Sequence, residues 1–163
     1  MPDPIPAVPA RVAGSRDRTA PMASHANYRE TIREVIRASG FAVDPGVYVY
    51  ARVREVRHAE QHLMVIRDPD ETTVVTAIGN LPLLGEHEAN PERWRLINIR
   101  CGKPFYCVGF VATIADALAR EGIDIVITSA FTNDLVLVME KDLGRSVAVL
   151  EGIGFGRRGP GPV

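Results

Sequence analysis

The stretch from Arg95 to Gly154 constrains the fold most, because its hydrophobic pattern passes from strand to helix and back twice. Arg95-Leu96-Ile97-Asn98-Ile99-Arg100 is strand-like, and a shorter extended piece from Phe105 to Val108 is broken by Gly109. From Val111 to Glu121 the apolar residues Val111, Ile114, Ala115 and Leu118 recur at helical spacing, and Gly122 stands where a left-handed terminator is wanted. Ile123 to Thr128 and Leu135 to Met139 are β-rich runs with little polar interruption, as in strands central in a sheet. Asp142 is placed to cap a last helix with Leu143, Val147 and Leu150 on its apolar side, ending around Gly152-Ile153-Gly154. The order β-α-β-β-α, closed by a final strand, predicts an α+β split βαβ layout. Helices cover one face of an antiparallel sheet, and the other face or edge is left for a partner.

The preceding segment is less regular. Tyr28, Ile32, Val35 and Ile36 share one face of a predicted helix from Asn27 to Ser39, with Asn27 as its cap and Gly40 at its end. After the turn Asp44-Pro45-Gly46, Val47, Val49, Ala51 and Val53 alternate with Tyr48, Tyr50, Arg52 and Arg54, the period of a half-buried strand. Strands over His62 to Ile66 and Thr72 to Ile78, joined by the turn Asp68-Pro69-Asp70, follow. Leu81 to Pro91 reads as an excursion.

Composition narrows the function. The 163 residues carry a formal net charge of -1, which removes the usual electrostatic reason to expect a nucleic-acid partner. A 46% hydrophobic fraction suits one folded unit. No apolar stretch approaches a membrane span and the N-terminus lacks the compact apolar run of a signal peptide, so a cytoplasmic protein is expected. Cys101 and Cys107 are too few for a disulfide scaffold and read as reduced, buried thiols, with a redox or zinc pair the lesser reading. His58-Ala59-Glu60-Gln61-His62 places two histidines at helix-face spacing, but the order is wrong for a zinc-hydrolase motif and the flanks favour a hairpin. No metal or cofactor is expected. No nucleophile–base set or acid/base carboxylate pair can be assembled from spacing.

Four stretches carry a resemblance. They are Asp70-Glu71-Thr72-Thr73-Val74-Val75; Arg93-Trp94-Arg95-Leu96; the run from Phe105 to Ala115 through Gly109; and Ser129-Ala130-Phe131-Thr132-Asn133-Asp134 before Leu135-Val136-Leu137-Val138. In order and spacing these resemble the paired ACT-type domains of small bacterial proteins and of the eukaryotic arginine sensor CASTOR. Thr73 and Ala130 depart from the family's usual Ser and Thr. The resemblance implies tandem ACT-like, ferredoxin-like halves. The organisation expected is a flexible arm over residues 1–26, a divergent first half over 27–94, a second half over 95–155 and a flexible tail over 156–163.

The ligand site can be read in part from the residues. Gly109 lets backbone approach a ligand, and the amides of Phe110, Val111 and Ala112 at a helix start suit an α-carboxylate; the plainer alternative is a strand-to-helix turn. Asp134, before an apolar strand, offers a carboxylate to an ammonium or guanidinium group, or is simply a turn aspartate. The resemblance adds Phe131 to Asp134 and brings Thr73 and Val74 from the first half. It further implies a site built across a homodimer, with two equivalent copies. The function expected is a non-catalytic sensor of an amino acid or similar small carboxylate. An assembly module with a vestigial pocket, or a metal-dependent enzyme subunit using His58 and His62, is the alternative.

Overall fold

The computed structural model describes residues 25–102 and 107–159. The expected arm lies outside the described residues except at its end, as does half of the extended piece read from Phe105 to Val108; of its other half, Cys107 belongs to no strand and Val108 lies in a turn. The described elements are helix α1 (His25–Ala38), strands β1 (Gly40–Val53), β2 (Met64–Arg67), β3 (Thr72–Ala77), β4 (His87–Ala89) and β5 (Trp94–Arg100), helix α2 (Phe110–Arg120), strands β6 (Ile125–Ser129) and β7 (Asp134–Met139), helix α3 (Leu143–Gly152) and strand β8 (Gly156–Arg157). No described helix is long and apolar enough to cross a membrane.

One mixed sheet runs β2-β3-β1-β5-β7-β6, with β4 and β8 also paired to β1. The order is palindromic about the antiparallel β1–β5 pair, and the registers repeat. Val53 faces Thr72 and Tyr48 faces Ala77 in the β1–β3 ladder; Ile99 faces Asp134 and Trp94 faces Met139 in β5–β7. The pairing of Arg67 with Thr72 is matched by that of Ser129 with Asp134. The two intervening turns close alike, Asp68 N–H donating to the Glu71 carbonyl at 3.1 Å and Ala130 N–H to that of Asn133 at 2.8 Å. A local two-fold therefore relates β1-β2-β3 to β5-β6-β7. The connections break it. Helix α2 joins β5 to β6, whereas β1 reaches β2 through a 3-10 turn at Ala59–Gln61.

The turn expected at Asp44-Pro45-Gly46 is instead an irregularity inside a single long strand, where the β1–β5 register shifts between Val43 and Val47. Such a bulge leaves backbone groups unpaired, and side chains replace the lost ladder. Asp44 Oδ1 accepts from Gly46 N–H at 2.7 Å and from Tyr48 Oη at 2.9 Å. Arg95 donates to the Gly46 carbonyl at 3.0 Å and to that of Asp44 at 3.3 Å. Gly46 is required by the close approach, since a Cβ there would stand 2.8 Å from Asp44 Oδ1 and 3.1 Å from the Tyr48 ring.

Alternation along the strands sorts apolar residues to the two faces. On one face Ile97, Ile99, Val136 and Val138 pack with Ile32, Val35 and Ile36 of α1, Phe110, Ile114 and Leu118 of α2, and Leu150 of α3. On the other, Val75, Leu96 and Leu137 form a smaller cluster with Tyr48, Tyr50 and Trp94. Tyr50 meets Trp94 edge-on, ring centroids 5.7 Å apart.

Two local readings differ from expectation. Asp142 makes no capping hydrogen bond; its carboxylate pairs with Arg145 at 3.1 Å, because Glu140–Asp142 already form a 3-10 turn leading into α3. The start of the expected tail is ordered, Gly156 and Arg157 lying parallel to Gly40 and Phe41 with Arg158 N–H donating to the Phe41 carbonyl at 2.7 Å. The exposed edge at the start of β1 takes the nearest chain as partner.

Leu118 is fully buried under the sheet, so Leu118→Ala should lower stability by about 2–5 kcal/mol in denaturant titrations. Tyr48 is held protonated to about 12 by burial and then by its hydrogen bond to Asp44. A raised folded-state value means the folded chain keeps a proton that the unfolded chain releases. Its contribution is therefore complete below the ordinary tyrosine range near 10 and lost as pH rises toward 12. Tyr48→Phe should abolish that part of the alkaline loss seen by circular dichroism.

Candidate functional site

A cleft of about 430 Å³ opens where the chain leaves β5 for α2, lined by Cys107, Phe110, Val111, Ser129, Ala130, Phe131 and Asp134. Its two sides come from different elements. On one side Gly109 adopts φ 84°, ψ 0° immediately before α2, a left-handed conformation that costs a side-chain-bearing residue energy. The Gly109 carbonyl accepts from Thr113 N–H at 2.8 Å and from Thr113 Oγ1 at 2.9 Å, which fixes the first turn. Phe110 N–H, expected to be free for a ligand, donates to the Cys107 carbonyl at 3.1 Å. The amides of Val111 and Ala112 have no acceptor among the described residues, as the start of a helix leaves them. Ala112 itself is not among the cleft-lining residues.

The other side is the β6–β7 turn. Ser129 and Asp134 face each other across the hairpin, and Ser129 Oγ donates to Asp134 Oδ1 at 2.5 Å, leaving Oδ2 without a partner among the described residues. Phe131 at the tip is 97% exposed. Val108, in the turn before α2, is 81% exposed, so the rim of the cleft is apolar and open.

Thr73 and Val74 stand elsewhere. Asp134 shares its row of the sheet with Ile99 and Phe41. Thr73 is in the row of Arg52, nine rows away once the two extra residues of the β1 bulge are discounted, or about 30 Å at ~3.3 Å per residue. Thr73 Oγ1 donates to Glu71 at 3.1 Å, and its neighbours in a smaller hollow include Tyr50, Arg52 and Glu88. Val74 is fully buried with Ala51, Val53 and Leu84 and sits between Ala51 and Val65. One chain does not bring these two residues to the Asp134 cleft.

The two-fold counterpart of that cleft is a larger one, about 640 Å³, at the far end of the sheet. It holds Asp68, Asp70, Glu71, Glu86 and Glu88 against Arg52 and Arg54, with Arg52 paired to Glu88. Backbone hydrogen bonds from Asp70 and Glu71 lower the Asp68 carboxyl below its ordinary value, so it stays charged. With no α-helix start there, a carboxylate guest meets mainly like charge.

The histidine motif forms a 3-10 turn, not the expected hairpin. His62 Nε2 donates to the Arg57 carbonyl at 2.8 Å, so Nδ1 accepts from Thr76 Oγ1 at 2.9 Å. His58 sits at φ 52° before the turn. Both His62 nitrogens are thus committed, and no set of three or more ligating side chains suited to a metal occurs among the described residues. Sequence reasoning missed Cys107 and Ser129 as lining residues. The hairpin register could have found Ser129, opposite Asp134.

Comparison with known proteins bears on the fold. Residues 90–152 match the ACT domain family, which covers the β5-α2-β6-β7-α3 unit carrying the cleft. A Vibrio cholerae protein of unknown function, described as a possible transport protein, superposes with a TM-score of 0.67 at 17% identity, over 78% of this chain and 98% of that one. An Agrobacterium tumefaciens protein gives 0.63 at 23% identity, covering 76% and 95%. The ligand-free regulatory subunit of aspartate kinase from Thermus thermophilus gives 0.53 at 14% identity, covering 72% and 97%. No curated protein matches the sequence. The chain therefore has an ACT-like α+β fold.

Because Gly109 requires the left-handed region, Gly109→Ala should destabilise the chain by about 1–2 kcal/mol, a loss that thermal unfolding would register.

Proposed function

We propose that this chain is a non-catalytic regulatory module that binds an amino acid or similar small carboxylate in the Asp134 cleft. The observation that carries the reading is the opposite polarity of the cleft's two sides. The amide of cleft-lining Val111, with that of Ala112 behind it at the start of α2, receives an α-carboxylate, and the Asp134 carboxylate receives the α-ammonium. Phe110, Val111 and Phe131 contact the side chain. Arginine is one candidate guest through the likeness to CASTOR.

The repeated registers support a division into two ACT-like halves over residues 27–94 and 95–155. A homodimer is part of the same reading. The apolar rim around Phe131 and Val108 is open, and Thr73 lies too far along the sheet to serve its own chain's cleft, so a second copy's Thr73 completes the site and gives two equivalent sites. Val74 acts behind it, holding β3 in place. Occupancy then regulates through a difference in affinity between two arrangements of the dimer. The near-neutral charge argues against nucleic acid as partner, and the expected setting is the cytoplasm.

Exposed Phe131 also favours a second reading, an assembly module whose cleft is vestigial. A thermal-shift series over the twenty amino acids separates the two. A ligand at about 100 times its Kd adds roughly 2.7 kcal/mol. A selective shift that is lost in Asp134→Ala supports the sensor. If no amino acid shifts the melting temperature while Phe131→Ser dissociates an oligomer in sedimentation velocity, the assembly reading holds and the sensor reading fails.

A further inference from the structure

Cys101 and Cys107 leave the β5–α2 connection at its two ends, and each is held by its own anchor. Gly102, next to Cys101, donates its N–H to Ser39 Oγ at 2.7 Å, and Ser39 Oγ in turn donates to the Val35 carbonyl at 2.6 Å. The contact is tight. A Cβ on Gly102 would stand 2.8 Å from Ala38 Cβ and 3.1 Å from the Val35 carbonyl oxygen. Cys101 is thereby pinned against α1. Cys107 is fixed from the other side, its carbonyl accepting from Phe110 N–H at 3.1 Å.

Both thiols are free and partly exposed, and both pack against the same core cluster of Phe110, Ile99 and their neighbours. Cys107 lines the cleft beside Asp134. Cys101 follows Ile99 by two residues, and Ile99 stands opposite Asp134 in the sheet, so both cysteines lie at the Asp134 end of β5; burial chiefly pushes the Cys101 thiol up.

We propose that Cys101 and Cys107 form a reversible dithiol–disulfide pair beside the cleft, with Cys107 in its wall. The oxidant is a low-molecular-weight disulfide. The Cys107 thiolate, at the open cleft, attacks one sulfur of the reagent and expels the other half as a thiolate, giving a mixed disulfide. The Cys101 thiol loses its proton to solvent, attacks Sγ of Cys107 and expels the second half. Two protein thiols are oxidised and one reagent disulfide is reduced to two thiols. The bond ties the end of β5 to the residue whose carbonyl holds the first amide of α2, so oxidation stiffens the amide side of the cleft. Any effect on amino-acid binding rests on the function proposed above; formation of the pair does not.

The test reads thiols alone. The full chain is equilibrated with mixtures of oxidised and reduced glutathione, folded or unfolded in urea, then acid-quenched and weighed by intact mass spectrometry. Folded protein should become two hydrogens lighter without retaining glutathione. Its midpoint should lie at a glutathione ratio about tenfold more reducing than that of the unfolded chain. Cys101→Ser should retain glutathione on Cys107. Stable glutathione adducts on folded wild type, or a folded midpoint equal to or more oxidising than the unfolded one, would mean that the fold holds the thiols apart and would overturn the proposal. Thermal shifts with amino acids, measured separately under reducing conditions, bear only on the ligand reading.

Discussion

The structure depends on one long strand. β1 pairs with β5 and β8 along its first part and with β3 and β4 along its last, so it is the only described strand that reaches both ends of the sheet. A strand of this length must twist and shift register as it passes from one set of partners to the other. The shift at Asp44-Pro45-Gly46 does this, and its cost falls on carbonyls that leave the ladder. Arg95, a β5 residue, returns hydrogen bonds to two of them. The neighbour across the pair thus repairs the irregularity that lets the sheet continue.

From that arrangement the inequality of the two ends follows. Strand registers repeat, yet the β5–β6 connection contains an α-helix where its counterpart, the β1–β2 connection, has only a 3-10 turn. An α-helix start presents unpaired amides together with a favourable dipole, and here Asp134 stands across from them in the same cleft. At the opposite end a 3-10 turn takes the helix's place, and the cleft fills with carboxylates. The same sheet geometry therefore yields one end where a helix start shares a cleft with a single carboxylate and another crowded with carboxylates.

Much of this was legible in advance where burial is periodic. The α2 pattern of Ile114 and Leu118 closed by Gly122 gave a helix within one residue of the observed Phe110–Arg120, and Leu135 to Met139 gave β7. Local chemistry was less legible when tertiary partners competed for it. Asp44-Pro45-Gly46 has turn composition, but Arg95 lies far away in sequence and nothing near the turn reveals it. Asp142 looks like a cap, and Arg145 takes its carboxylate. Phe110 N–H looks free, and the Cys107 carbonyl claims it.

The sequence by itself determined the α+β class, the order of elements in the second half, and the places of Gly109 before α2 and Asp134 at the start of β7. These depend on side-chain period and on the backbone freedom of single residues, both local properties. Tertiary structure alone decided that Asp134 shares a cleft with Val111, Phe131 and Cys107 while Thr73 lies at the far end of the sheet. Those relations depend on strand order and register, which set the distance between residues in space without regard to their separation along the chain.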